Sequence, residues 1–281
     1  MGRRATPRPE YDQPQIITPD SVVRHLWGDE ESGYVGDEVL LSTGLLHALI
    51  FTLPPGARFG HSQDNRTVFA ADEMYVVLEG TIAVIDPAVG QVVRAEEGDA
   101  VFFRRDTWHH GVNWGTGPVR VLEFFSPPPA TGASSAYAKT VPYLEHPVHA
   151  DDSIVGNWPM DRVGVESKDA LHLIQSRDIR WRAEGNLQVG LLCSTENLTV
   201  ADITVLPGHS SGVRLHEGDA LLHGLSGEVH VHTPDADNAT WWRVRAGDSM
   251  VIPDGFAYRL VNQSAAPARL VGGSAPGYLR G

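Results

Sequence analysis

Cysteine is almost absent: the 281 residues contain one, Cys193. A single thiol cannot close an internal disulfide, which agrees with a reducing, cytoplasmic setting. Its apolar neighbours in VGLLCST mark it as a buried core residue rather than a nucleophile. Positive charge is scarce too. Lys and Arg number 22 against 35 Asp and Glu, for a formal net charge of -13, so the surface suits solubility and argues against nucleic acid as a partner. Long hydrophobic runs are missing as well. The longest apolar stretch, LLHALIFTL from Leu45 to Leu53, is about half of what a membrane-spanning helix needs, and no apolar segment follows the basic start MGRRATPRPE, so no secretory signal is expected. Helical periodicity is nearly absent.

What is present is β-structure punctuated by turns. The 29 glycines and 19 prolines separate short Val/Ile/Leu/Phe runs, the pattern of an all-β sandwich or barrel. An internal repeat organises these runs. LLSTGLLHALIFTLPPG, ending at Gly56, aligns with LLCSTENLTVADITVLPG, ending at Gly208, and MYVVLEGTIAVI from Met74 aligns with LLHGLSGEVHVH from Leu221. Gly98-Asp-Ala-Val parallels Gly247-Asp-Ser-Met, and Asn113 parallels Asn262. Four landmarks thus recur in one order, Gly56/Gly208, Gly80/Gly227, Gly98/Gly247 and Asn113/Asn262, at offsets of 152, 147, 149 and 149 residues. Duplication of a β domain of about a hundred residues explains this order.

The division expected from composition is a disordered tail over 1–15, a first barrel over 16–127, a Pro/Ala/Ser-rich linker over 128–165 and a second barrel over 166–281. The densest stretch is GDAVFFRRDTWHHGVN, from Gly98 to Asn113; its counterpart, from Gly247 to Asn262, carries Tyr258 where the first copy has His109.

With these residues the chain resembles the cupin superfamily, specifically a bicupin. Gly247, Pro253, Gly255 and Asn262 fit the fixed positions of the second cupin motif, with Tyr258 at its histidine; Gly98, His109 and Asn113 fit in the first copy, where Arg104 and Asp106 replace the turn's Pro and Gly. The resemblance implies two tandem jelly-roll-like β-barrels whose interior holds a metal in many members. The chemistry follows from strand alternation: inward-pointing imidazoles and a carboxylate from neighbouring strands can converge inside a barrel. Such a set suits Fe(II), Mn(II), Ni(II) or Zn(II) and leaves coordination positions open.

In the first copy the resemblance assigns Glu73, six residues ahead of Gly80, and His109, three ahead of Asn113, as metal ligands. Alternation turns His110 away from His109, and Asn113 is expected to brace a turn. Gly56 to Glu73 spans seventeen residues against twelve from Gly208 to Ala220, so the first copy carries about five extra residues here. If they follow His61-Ser-Gln63, the ligands are His61, Glu73 and His109 with Gln63 as a fourth or substrate-binding group; if they precede it, Arg66 and Val68 occupy the positions and no metal site remains. The first placement is favoured because His61 is the one histidine between His47 and His109. Tyr75, two residues beyond Glu73, is a candidate acid or hydrogen-bond donor in the pocket. His47, Phe103, Trp108 and Trp114 are expected in walls or packing.

In the second copy the motif positions read Arg214, His216, Ala220 and Tyr258. One imidazole beside a guanidinium cannot hold a divalent ion, so this barrel is expected to be metal-free, with His223 pointing out of it and His230 and His232 sharing a face of another strand. The function expected is a cytoplasmic metal-dependent enzyme with one ion per chain, Fe(II) favoured, acting on a small organic substrate and dioxygen as an oxygenase. A redox-neutral lyase, isomerase or decarboxylase is the close alternative, and a metal-free binding protein the alternative of another class. A homodimer is expected.

Overall fold

The computed structural model describes residues 5–61, 67–127, 138–140 and 170–276. Among them there is no α-helix and no helix long and apolar enough to cross a membrane. Two seven-stranded sheets dominate. The front sheet runs, in spatial order, Leu171–Ile174, Ala100–Phe103, Asp72–Glu79, Val119–Ser126, His47–Leu53, Gly33–Ser42 and Val23–Asp29. The rear sheet repeats that plan with Gln15–Ile17, Ser249–Ile252, Asp219–Ser226, Ala268–Ala275, Thr199–Val205, Leu187–Ser194 and Trp181–Glu184. Each large sheet faces a smaller one, built around His110–Asn113 and Thr81–Asp86 in front and around Glu228–His232 and Arg259–Val261 behind. The all-β, two-barrel expectation therefore holds.

The order of each large sheet contains an exchange. Gln15–Ile17 opens the first copy yet pairs with Ser249–Val251 at the edge of the rear sheet. Leu171–Ile174 opens the second copy and pairs with Ala100–Phe103 at the edge of the front sheet.

Strand alternation divides the apolar residues among three cores. Tyr75, Val77, Val101 and Phe103 fill the front barrel, Leu222, Val229, Val244 and Leu260 fill the rear one, and the opposite faces of the same strands meet in a shared core containing Met74, Val76, Leu122, Phe124, Leu221 and Val251. Cys193 belongs to that shared core, and burial pushes its thiol up to about 12, as suits a packing residue. Phe124 lies so close over Gly273 that a Cβ there would meet its ring at 2.3 Å. A polar seam borders this core. Buried Asp72 accepts from Arg104 (3.0 Å), Thr195 (2.7 Å) and Asn197 (3.2 Å); Arg104 also reaches Glu196 at 2.6 Å, and the Thr43 hydroxyl donates to Asp219.

The duplication extends to hydrogen bonds. Asn113 donates to Leu53 O and Gly117 O, both at 2.9 Å, and accepts from Gly115 N; Asn262 donates to Val205 O and Ala266 O, both at 2.8 Å, and accepts from Ser264 N. Asn113 is the expected turn brace, and Asn262 braces its turn in the same way. Asp106, where the second copy has Gly255, adopts φ 65° against 84° for the glycine. Aspartate tolerates this left-handed region better than most side chains, so the turn survives the departure from the motif.

One expectation fails. Residues 5–14, assigned to a disordered tail, run from the front barrel to the rear one: Ser42 N donates to Pro9 O at 2.8 Å, the Arg8 guanidinium donates to Thr43 O at 3.3 Å, Tyr11 packs against the shared core, and Asp237 N donates to Gln13 Oε1 at 3.0 Å. Proline richness misled because a proline carbonyl still accepts, and edge N–H groups of a neighbouring strand supply the donors. Most of the expected linker, residues 128–137 and 141–165, lies outside the described residues.

Candidate functional site

Alternation along Asp72–Glu79 sets the site. Tyr75 and Val77 belong to the front-barrel core and Met74 and Val76 to the shared core, so Glu73 shares the inward face with Tyr75. Glu73 is 2% exposed. His109, held in the turn before His110–Asn113, is 8% exposed and lies 4.6 Å, ring to ring, from Phe103. Its Nδ1 is 3.3 Å from Thr107 O. A carbonyl only accepts, so this contact puts the proton on Nδ1 and the lone pair on Nε2. That Nε2 stands 3.8 Å from Glu73 Oε2, a buried oxygen with no hydrogen-bond partner. Burial pushes the Glu73 carboxyl well above the usual carboxylate range, helped by Glu123 and Asp72, and pulls His109 down to about 3, with His61 adding to the effect and the Thr107 contact opposing it.

His61 sits on the wall of the same cavity, its ring 6.4 Å from that of His109 and 4.2 Å from Trp108. Gly111 pairs with Phe59, and continuing that register sets His109 opposite His61. The side chain of His110 explains its own place: its Nε2 accepts from the His61 backbone N–H at 3.1 Å and is also 3.1 Å from His61 Nδ1. With Nδ1–H donating to His110, the His61 lone pair falls on Nε2.

A buried, lone-pair imidazole nitrogen facing an unpartnered carboxylate oxygen fits a divalent cation, which would replace the missing proton between them. The fit is to this pair. Among the described residues no group of three His, Cys, Asp or Glu side chains is gathered to hold a metal ion. Gln63, the possible fourth group, and Arg66 of the rival placement lie outside the described residues, whereas Val68 is buried in the strand Thr67–Phe69.

The cavity, of about 140 Å³, also takes in residues that motif reasoning missed: Asp37, Glu123, Arg8 and Thr6. Tyr75, 2% exposed, donates its hydroxyl to Glu123. Burial raises Glu123 well above the usual carboxylate range, with Asp37 adding to it, and raises Asp37 to about 7. Glu123 was legible in principle: VRVLEFFS places a charge at an inward position of an apolar strand. Nothing in the local pattern marked Arg8. His47 is a cavity-wall residue, 5.5 Å ring to ring from Phe125, with a pKa lowered to about 4 by burial and by Arg8.

The rear barrel is filled differently. Arg214 pairs with Glu184 at 3.1 Å, and His216 Nε2 is 2.7 Å from the Tyr258 hydroxyl with the two rings stacked. Ala220 lies in an apolar core with Leu222 and Val229. His223 faces away from that core, bonded to Ser249 Oγ at 2.9 Å, and His230 and His232 alternate with the core residues Val229 and Val231. Both placements follow the sequence reading.

Two seven-stranded sheets, each closed by a smaller sheet and braced by one asparagine, define a tandem β-barrel protein. The Cupin domain family model matches residues 49–125 and 201–272. The chain belongs to that family and is a bicupin. No curated protein sequence matches it. Solved structures share the fold: Bacillus subtilis oxalate decarboxylase, in a structure concerned with its Mn(II) centres, is 13% identical with a TM-score of 0.61, over 97% of this chain and 80% of that one. Lactobacillus farciminis oxalate decarboxylase in its formate complex is 14% identical with a TM-score of 0.59, over 94% and 86%. AerE from Microcystis aeruginosa is 10% identical with a TM-score of 0.59, over 90% and 97%.

Proposed function

We propose that the protein is a metal-dependent bicupin enzyme acting on a small organic molecule in the front barrel. Glu73 and His109 would hold one divalent transition-metal ion, with His61 on the same cavity wall as the third ligand. The observation that carries this reading is the unpartnered Glu73 Oε2 facing the His109 lone pair at 3.8 Å. Imidazole and carboxylate donors suit Mn(II) and Fe(II) first, and Ni(II) or Zn(II) also. When bound, the ion supplies a Lewis acid that polarises a substrate oxygen.

The chain's own residues supply protons. Tyr75 donates to Glu123 on the cavity wall, and Asp37 beside them titrates near neutrality. Groups that hold a proton near pH 7 serve general acid and base steps, which favours redox-neutral chemistry, a lyase, isomerase or decarboxylase, over the oxygenase that the ligand set alone suggested. The oxalate decarboxylases among the structural neighbours support the same direction by analogy of fold. Phe51, Phe59 and Phe125 line the cavity with apolar surface, which disfavours water beside the reacting groups.

Metal analysis tests the reading. Purified protein is expected to carry close to one ion per chain, and His109→Ala to lose it. Protein that stays metal-free after reconstitution with Fe(II), Mn(II), Ni(II) and Zn(II) would instead be a binding protein. Turnover of candidate substrates without dioxygen is expected; strict dependence on dioxygen would restore the oxygenase.

A further inference from the structure

The basic groups on the front cavity wall collect at two ends, while Tyr75, Glu123 and Asp37 stand in the neighbouring inward rows. In the sheet register Ser42 stands opposite His47, His47 opposite Phe125, and Phe125 opposite Glu73. Two strand spacings, roughly 10 Å, therefore separate His47 from Glu73. One end is the imidazole of His109, with Glu73 behind it, its Oε2 3.8 Å from His109 Nε2. The His47 end carries Arg8 and Thr6, delivered by the N-terminal segment.

Among the described residues Arg8 is the one Lys or Arg side chain on this cavity wall. It is fixed by its bond to Thr43 O at 3.3 Å and by the neighbouring bond from Ser42 N to Pro9 O. His47 is 4% exposed, and its Nδ1 is buried with no hydrogen-bond partner. A buried polar atom left in that state carries a desolvation penalty, which a ligand atom can relieve. Between the ends the wall is Leu49, Phe51, Phe59, Phe69 and Phe125, with Glu123 and Tyr75 one inward row along. A volume of about 140 Å³ is close to the roughly 150 Å³ in which an apolar protein cavity accommodates benzene.

We propose that the front cavity takes a small carboxylic acid with a flat apolar body, its carboxylate held by Arg8 and His47 and its far end presented to Glu73 and His109. The inference rests on the cavity being the substrate site, and makes Arg8 a specificity-determining residue. Guanidinium offers a carboxylate two parallel N–H donors, and a neutral imidazole adds a third through Nδ1–H. Asp37 and Glu123 also line the cavity; burial pushes both carboxyls up, Asp37 to about 7 and Glu123 well above the usual carboxylate range, so in mildly acidic solution they do not repel an anion.

Benzoate and its neutral analogue benzamide are suitable probes, titrated calorimetrically at pH 6 into metal-loaded and chelator-treated protein. Benzoate is expected to bind about tenfold or more tightly than benzamide in both preparations. Arg8→Gln should abolish that preference without weakening benzamide, and Arg8→Lys should restore part of it. Binding of neither probe, equal binding of both, or an Arg8→Gln variant that weakens both alike would overturn the clamp. A preference for benzoate confined to metal-loaded protein places the carboxylate on the ion; it overturns the clamp and leaves the metal reading intact. A preference that persists in protein unable to bind metal does the reverse.

Discussion

The front and rear barrels share a frame and differ in their contents. Across the front sheet the inward row reads His47, Phe125, Glu73; across the rear sheet the same register gives Thr199, Ser274, Ala220. One inward row along, Glu123 and Tyr75 become Gly272 and Leu222; a row further, Asp37, opposite Phe51, becomes Val189, opposite Ile203. The space of the missing glutamate is taken by neighbours, since a Cβ on Gly272 would meet Ile203 and Leu222 at 3.1 Å. The asparagine braces and the opening glycines are the same in both, whereas the first copy carries about five extra residues between Gly56 and Glu73. A backbone held by its own hydrogen bonds thus tolerates either an apolar filling or a set of buried acids and imidazoles. The second filling carries a desolvation cost, which a binding site has reason to keep.

The comparison can be broken first at the proposed ligands. Glu73→Gln is expected to weaken metal binding by more than about a hundredfold, read by equilibrium dialysis, whereas Tyr258→Phe in the rear barrel leaves metal content unchanged. Equal effects would mean that the barrels are not specialised. Next comes the shared frame. Asn113→Ala removes three hydrogen bonds and Asn262→Ala four, at about 1 kcal/mol net apiece, so the variants should lose roughly 2–4 kcal/mol in denaturant unfolding. A large loss in one alone would show that the braces are not equivalent.

The smallest effect depends on pH. Asp37 titrates at about 7 in the folded chain and near 4 when unfolded. Between those values the folded chain holds a proton that the unfolded chain has released, so the contribution of this group to stability falls as pH rises through the window and stays lowered above it. Asp37→Asn releases no proton. It should match the parent near pH 4 and exceed it by roughly 1–2 kcal/mol at about pH 8, less than the full shift implies because a buried amide also loses hydration.

Much of the frame was legible because it repeats. Gly80 and Gly227 take φ 80° and 71°, and a Cβ at either would strike a carbonyl oxygen at 2.5 or 2.6 Å; such positions accept only glycine and so stand out in sequence. Alternation likewise placed Glu73 and Tyr75 together, turned His110 from His109 and sent His223 out of the rear barrel. The exchange of edge strands could not be read, because three-residue strands such as Gln15–Ile17 carry no period and choose partners through distant N–H and C=O groups. Arg8 escaped for the same reason: its position follows from where Pro9 docks, not from its neighbours in the chain. Asp37 and Glu123 were hidden by the habit of reading charges as surface.

The crossed edge strands bear on how the two copies can be separated. Gln15–Ile17 and Leu171–Ile174 each finish the sheet of the opposite copy, so a chain divided between the copies yields two fragments that both lack their outermost strand. Each fragment would bare a row of unsatisfied N–H and C=O groups, the template on which β proteins stick to one another. Gene duplication built this molecule from halves, and the mutual loan of strands makes the halves inseparable.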